Sequence, residues 1–515
     1  MKSKFLQFSI YAILIGLAFF LTSSIFIQIE NEISDANNGN AFKPAAEYLA
    51  KIRNNQVTGK LDLRDVLKSR EQLKMNQSMF SRDLDLEWII CGPSNFGGRT
   101  RAIIYDNRDP DANTLYAASV SGGIYKSTNS AQTWTKVNGA KKSLNVSCMV
   151  QDNDGSIYVG TGESFAVQDF TDFGELQYNG GFVGRGIFKS TDGDHFELVP
   201  GTEPAMNSDT AAWAFINELV IDPITHKLYA STNKGLRYLS ANTWEIAKTS
   251  EGEILNGNSF DVKIGSNGTI IEGAIITDID NLCYVSVTGD PNAFVLRSTG
   301  DSASLPNSDI GRIEFAIAPT NDTKIIVDTT TIPPTYDTII YTSIYASVAS
   351  GSGTLKNIYR STTKGEYWSI IAPGGSANLN IFGIGDEIGS GQGIYDNTIV
   401  VFPDNNDRIL VGGVNMWEGI KVSEEGFFNW TMKSDGSLNP YYEPYVPSDH
   451  HTYIFRPGNN RECIIGCDGG VSAGSLYSDY FTFTTLVRNY YTTQFYTVGY
   501  SGSKKMVIGG AQDNG

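Results

Sequence analysis

From Trp88 onward the chain repeats one pattern: a short aromatic and β-branched run ends in small residues and is framed by polar turns. TLYAAS (114–119), SIYVGTG (156–162), KLYAST (227–232), LCYVSV (282–287), SIYASV (343–348), RILVGG (408–413), ECIIGC (462–467) and KMVIGG (505–510) all read as buried strands. Turns such as DNRDPDAN (106–113), DNDG (152–155), DPITH (222–226) and PDNND (403–407) precede several of them, and earlier strands stand before those turns: RAIIYD, NVSCMVQD, INELVID and NTIVVF. A second motif joins a third strand to a fourth. It occurs as GGIYKSTNSAQTWTKV (122–137), GRGIFKSTDGDHFELV from Gly184, NIYRSTTKGEYWSII from Asn357 and GIKVSEEGFFNWTMK from Gly419. Four antiparallel strands per unit, recurring at roughly 42 to 71 residues, is the pattern of a β-propeller. A single blade cannot bury both of its faces, so radial stacking has to supply the core. The expected fold is an all-β propeller of seven or more four-stranded blades over residues 88–515, with the last blade incomplete and the chain continuing past Gly515.

The first 87 residues follow other periods. Ala45, Tyr48, Leu49 and Ile52, then Leu63, Val66 and Leu67, recur at helical spacing, so 31–87 reads as a polar linker with short helices. Lys2 and Lys4 precede an uncharged stretch from Phe5 to Ile29. Residues 1–30 read as a signal peptide or an uncleaved membrane anchor, and either would send the rest of the chain across the membrane.

Composition narrows the function classes. The 53 glycines and 11% aromatic residues suit a turn-rich β protein. A net charge of −17 lacks the basic footprint that nucleic acid requires. The five cysteines are odd in number and scattered, and Cys463 and Cys467 would stand about 13 Å apart on one strand, too far to bridge. They read as small buried hydrophobes.

The Ser-Thr-Asp/Asn turns resemble the Asp-box of sialidase-like and sortilin-like propellers, S-x-D-x-G-x-T-W. Ser127, Asn129 and Trp134 match in the first copy, Ser190 and Asp192 in the second, Ser361 and Trp368 in the third, and Ser423 and Trp430 in the fourth. Such boxes are structural: the serine and the acid or amide bond turn amides, and the aromatic plugs the space between blades. A narrower resemblance rests on CGPSNFGGRTRAI (91–103), YVGTGE (158–163), SDHHTYIFRPGNN (448–460), IIGCDGGVSAG (464–474) and TTQFYTVGY…VIGGAQDNG (492–515). These are similar to secreted propellers of Bacteroidetes-type bacteria labelled sortilin-like or xyloglucanase-like. The resemblance implies an exported or cell-surface protein.

In an up-and-down blade, the start of the first strand and the end of the second lie on one face of the disc. Asn95, Arg99, Glu163, Asp449, His450, Asp468, Gln512 and Asp513 all fall on that face, opposite the Ser-Thr-Asp turns. Glu163, Asp449, Asp468 and Asp513 are the candidate carboxylates, and Asn95, Arg99, His450 and Gln512 the candidate ligand contacts. Asp468 and Asp513 equally suit ordinary turn roles, because Asp-Gly and Asn-Gly are hairpin signals. No transition-metal site is expected: His450 and His451 point to opposite sides of a strand. No cofactor is expected, with Ca²⁺ held by Asp and backbone oxygens left open. Phe455-Arg456-Pro457 comes late and lacks an isoleucine, which excludes a sialidase. The expected function is binding of a peptide or glycan at an acidic channel mouth, with loops FGELQYNGGF (173–182), VNMWEG (414–419) and NPYYEPYVP (439–447) as aromatic platforms. The alternative is a glycoside hydrolase acting on a β-glucan or xyloglucan through two carboxylates.

Overall fold

The computed structural model describes residues 42–59, 63–79, 90–137, 144–165, 182–204, 210–265, 275–328, 330, 332–333, 335–375, 379–383, 391–423 and 426–512. The helical periods form α1 (Phe42–Arg53) and α2 (Leu63–Met79). Residues 1–41, Asp513 and most of 173–182 lie outside the described residues.

The remainder is a seven-bladed β-propeller, each blade a four-stranded antiparallel sheet. The inner strands of blades one to seven are Thr100–Tyr105, Val146–Gln151, Ile216–Ile221, Val262–Ile264, Arg312–Ile317, Thr398–Phe402 and His450–Arg456. Consecutive inner strands pack side by side, and that of blade seven packs on that of blade one, so the ring is closed. Apolar faces of neighbouring blades interlock in separate clusters. At the closing seam Ile103, Leu115, Tyr125 and Trp134 meet Ile464, Val471, Val487 and Tyr490. Hydrogen bonds tie the same seam: Trp134 Nε1 donates to Leu486 O at 2.7 Å, and Tyr125 Oη to Tyr491 O at 2.8 Å.

The seven blades close without the last two strands, Phe495–Ser501 and Met506–Ala511. They pair only with each other, because blade seven already holds four strands and abuts blade one. LCYVSV is the third strand of blade four, not the second. Asp280 and Asn281, both with positive φ (49° and 63°), make a two-residue turn before it, and such a turn can join any strand pair. No disulfide forms; Cys148, Cys283, Cys463 and Cys467 are buried, whereas Cys91 is exposed.

The Ser-x-Asp/Asn turns tie side chains to local amides. Ser127 Oγ accepts from the amides of Asn129 (3.3 Å) and Ala131 (3.0 Å), while Asn129 Oδ1 accepts from Thr133 N at 3.0 Å. In the second copy Asp192 Oδ1 takes the amides of Asp194 and His195, each at 2.8 Å. Removing the Ser127 hydroxyl strands the buried Ala131 amide. Ser127→Ala should therefore cost about 1–2 kcal/mol, seen as a lower urea midpoint with unchanged far-ultraviolet circular dichroism.

Candidate functional site

Glycines deliver the charged residues to the ring axis. A Cβ on Gly98 would fall 2.1 Å from Thr492 O, and one on Gly162 would fall 2.0 Å from Ala214 O. Only bare backbone lets these segments press so close to their neighbours, and the residue after each glycine, Arg99 and Glu163, turns inward.

Arg99 Nη1 donates to Glu163 Oε2 at 2.8 Å, and its Nε stands 3.3 Å from Asp468 Oδ1. Arg101 Nε meets Glu163 Oε1 at 2.5 Å. Asp468 also accepts from Tyr395 Oη at 2.8 and 2.6 Å and pairs with His451 Nε2 at 2.7 Å. Burial works against charge on both acids, but Arg99 and Arg101 hold Glu163 below its ordinary range, and Arg99, His451 and Tyr395 do the same for Asp468. Burial, reinforced by Arg101, depresses His451 to about 3. The imidazole is therefore neutral, and its proton sits on Nε2, facing the Asp468 carboxylate. Its Nδ1 is buried without a hydrogen-bond partner.

The network reaches across the ring. Arg101 of blade one and Arg312 of blade five are not on adjacent blades, yet both donate to Tyr395 O, at 3.3 and 3.1 Å. Both also lie over the Phe165 ring, 4.7 and 4.1 Å from its centroid. These groups can meet only at the axis, where they fill the channel.

A second charged group sits beside the first. Lys263 Nζ lies 2.5 Å from Asp261 Oδ1, 3.5 Å from Glu218 Oε2 and 3.6 Å from Glu314 Oε1. Carboxylate oxygens of Glu218, Asp261 and Glu314 come within 4.8 Å of one another, a spacing that could hold an ion. The Lys263 ammonium already supplies the cation there. Burial first, then Asp261, raises Glu314 to about 7 even though Arg312 Nη2 stands 2.7 Å away.

The predicted residues divide as follows. Arg99, Glu163, Asp468 and Asp449 come together. Asp449 is half-buried and accepts from Gln392 Nε2 at 3.3 Å. Burial and then Asp468 raise its acid to about 7. The expected open acidic mouth is corrected at Glu163 and Asp468, which are 0% and 3% exposed and matched to arginines because a buried carboxylate needs a partner. Asp468 does not cap its own turn. His450 is also corrected: its Nδ1 meets Tyr453 Oη and its Nε2 meets Pro447 O, so it lies in the blade while its neighbour His451 reaches the network. Asn95 is exposed on the lead-in to Arg99. Gln512 lies just past the separate hairpin, with its amide on Gln494 O at 2.8 Å. Asp513 lies outside the described residues.

Sequence reasoning missed Arg101, His451, Tyr395, Phe165 and the whole Lys263 group. Part of the signal was present: charges two apart on otherwise apolar inner strands, as in DVK (261–263) and RIE (312–314), share one face.

Among known families, the description "Two component regulator propeller" matches residues 141–163, around the first two strands of blade two. No curated protein matches. Of solved structures, an ancestral GH74 enzyme aligns at TM-score 0.50 and 15% identity, covering 76% of this chain and 47% of its own. The GH74 xyloglucanase from Xanthomonas campestris aligns at 0.48 and 14%, covering 79% and 56%. The extracellular domain of a hybrid two component system from B. thetaiotaomicron aligns at 0.39 and 11%, covering 73% and 39%. The chain thus spans about half the length of the two GH74 proteins, and at 15% identity the likeness to the ancestral enzyme is one of fold.

Proposed function

We propose that this chain is an exported binding propeller that engages a peptide or glycan on the face carrying Asp449, and that it is not a hydrolase. The observation that carries this reading is the pairing of Glu163 and Asp468 with Arg99 and Arg101. Glycoside hydrolysis needs one carboxyl that gives up a proton and a second that attacks or activates water. Two of the predicted carboxylates are instead buried anions spent on holding blades one, two and seven to the axis. The binding surface is then the rim of that face. Tyr441 and Tyr442, 93% and 68% exposed, stand on the loop between the outer strand of blade six (Phe428–Met432) and the inner strand of blade seven, which runs directly into Asp449. Exposed tyrosines offer sugar rings and peptide side chains an apolar face with a polar tip.

The test is a glycan and peptide array followed by affinity measurement on the best ligand. Replacing both Tyr441 and Tyr442 by alanine should weaken binding about tenfold or more with an unchanged melting temperature, because neither ring is packed. Reducing-end release from a plant or bacterial glycan, abolished by a single carboxylate change, would overturn the reading in favour of a hydrolase.

A further inference from the structure

Two arginines outside the network stand together without an acid. Arg185 precedes the third strand of blade two (Ile187–Ser190), on the face that carries Asp449. Its amide donates to Thr161 Oγ1 at 2.8 Å, which fixes it at the end of the second strand (Ile157–Thr161). Arg70 comes from α2, and its guanidinium fork donates to Val183 O at 2.7 Å and Gly184 O at 2.6 Å. The second of these carbonyls belongs to the peptide that joins Gly184 to Arg185. The Arg185 side chain therefore starts within about 5–6 Å of the Arg70 guanidinium. The two charges feel each other: burial first, then Arg185, lowers Arg70 to about 10. Arg185 Nε is buried with no hydrogen-bond partner, and among the described residues no carboxylate pairs with either guanidinium. Acids abound in a chain of net charge −17, so two neighbouring arginines left without one leave room for an anion from outside.

We propose that Arg185, backed by Arg70, is a subsite for a carboxylate group of the ligand that this face engages. The proposal rests on the binding reading above and deepens it, because it makes the ligand acidic. A guanidinium offers parallel N–H donors that match a planar carboxylate in two hydrogen bonds. Arg70 has its fork committed to the 183 and 184 carbonyls and acts as a fixed positive charge, whereas the half-buried Arg185 keeps its donors for the ligand. The field of so acidic a chain resists a dianionic phosphate more than a singly charged carboxylate. Arg99, Arg101 and Arg312 cannot play this part, since each already holds a carboxylate of the protein. A uronate sugar and an acidic peptide side chain present the same group.

The experiment titrates the full chain at constant ionic strength with glucuronate, the amide of N-acetylaspartate, sulfate and neutral glucose. Saturable binding of a carboxylate probe in the millimolar range is expected, with sulfate weaker and glucose silent. The tighter of the two carboxylate probes identifies the source as sugar or peptide. Arg185→Met should weaken that probe about tenfold or more. It should melt in probe-free buffer at or above the wild-type temperature, because a partnerless buried nitrogen and a like charge beside Arg70 are both removed. If methionine prevents folding, Arg185→Lys carries the comparison: it keeps the charge, loses the planar fork and should cost about threefold or more. An equal response to glucose or sulfate overturns the proposal, as does binding that survives the substitution at Arg185. So does the lack of a saturable response below about 50 mM, where affinity is too weak for a built subsite. The Tyr441 and Tyr442 double variant should bind these small probes as the wild type does, which separates failure of this subsite from failure of the rim.

Discussion

Replacing Arg99 by methionine should destabilise the propeller by about 3–5 kcal/mol, the usual cost of breaking a buried ion pair from one side. Methionine keeps most of the aliphatic volume, so the loss reports charge. The guanidinium is 3% exposed, bridges Glu163 at 2.8 Å and Asp468 at 3.3 Å, and lies 5.0 Å from the Tyr395 ring centroid. Without it Glu163 keeps only Arg101, and Asp468 keeps a neutral histidine and a phenol. Both acids have folded values below their unfolded ones, so their contribution is present above the unfolded values near 4 and disappears as pH falls through the folded ones. The deficit of the variant should therefore be full at neutral pH and shrink in acid. Adding Glu163→Gln to Arg99→Met should recover part of the loss, because an amide tolerates the missing arginine better than an anion does. Urea unfolding of the wild type, both single variants and the double variant gives the coupling directly. A single-variant loss below about 1 kcal/mol would mean that the network is not what ties the blades to the axis.

The ring itself was legible because its code is local. A buried strand ending in small residues, a polar turn and a serine-anchored turn are each written within about ten residues, and repetition removes ambiguity. The slip in blade four came from the same locality, since Asp280-Asn281 reads as a hairpin turn without saying which two strands it joins. The face that gathers Arg99, Glu163, Asp449 and Asp468 was also legible, because strand direction in an up-and-down blade fixes where each end lies.

What filled the channel was not legible. The partners are far apart in sequence: Tyr395 to Asp468, Arg101 to Glu163, Arg312 to Tyr395. Bulges hid two of the key residues. The register of blade one shifts between Thr100 and Ala102, and that of blade seven between His450 and Thr452, so Arg101 and His451 are the extra residues that turn inward. Asp449, with φ at 64°, sets up the second of these bulges. Reading the face from strand ends alone instead led to His450, one residue early.

The other large effect expected is a loss of stability as pH rises through the slightly acidic range, centred on Glu314. Its carboxyl stands at about 7 in the fold against an ordinary 4.5, raised by burial first and then by Asp261, with Arg312, Lys263 and Glu218 as the remaining charged neighbours. A raised folded value means that the folded state binds the proton more tightly. The associated stability is complete below about 4.5 and gone once pH has passed 7, a span worth on the order of 3 kcal/mol. This window lies above the one in which Glu163 and Asp468 act, and its sign is opposite. Lys263→Met should steepen the dependence, because the ammonium that stands 2.5 Å from Asp261 Oδ1 no longer offsets the three acids. The variant should lose about 3–5 kcal/mol near pH 8. It should lose clearly less near pH 5, where Glu218 and Glu314, both raised, can take up protons. Glu314→Gln should flatten the wild-type profile across the same window, which assigns the effect to this residue. Urea midpoints measured at about pH 5, 6, 7 and 8 on the three proteins decide the matter. A wild-type profile that is level or rising across the window, or a Lys263→Met deficit that does not grow with pH, would show that the ammonium is not balancing buried carboxylates.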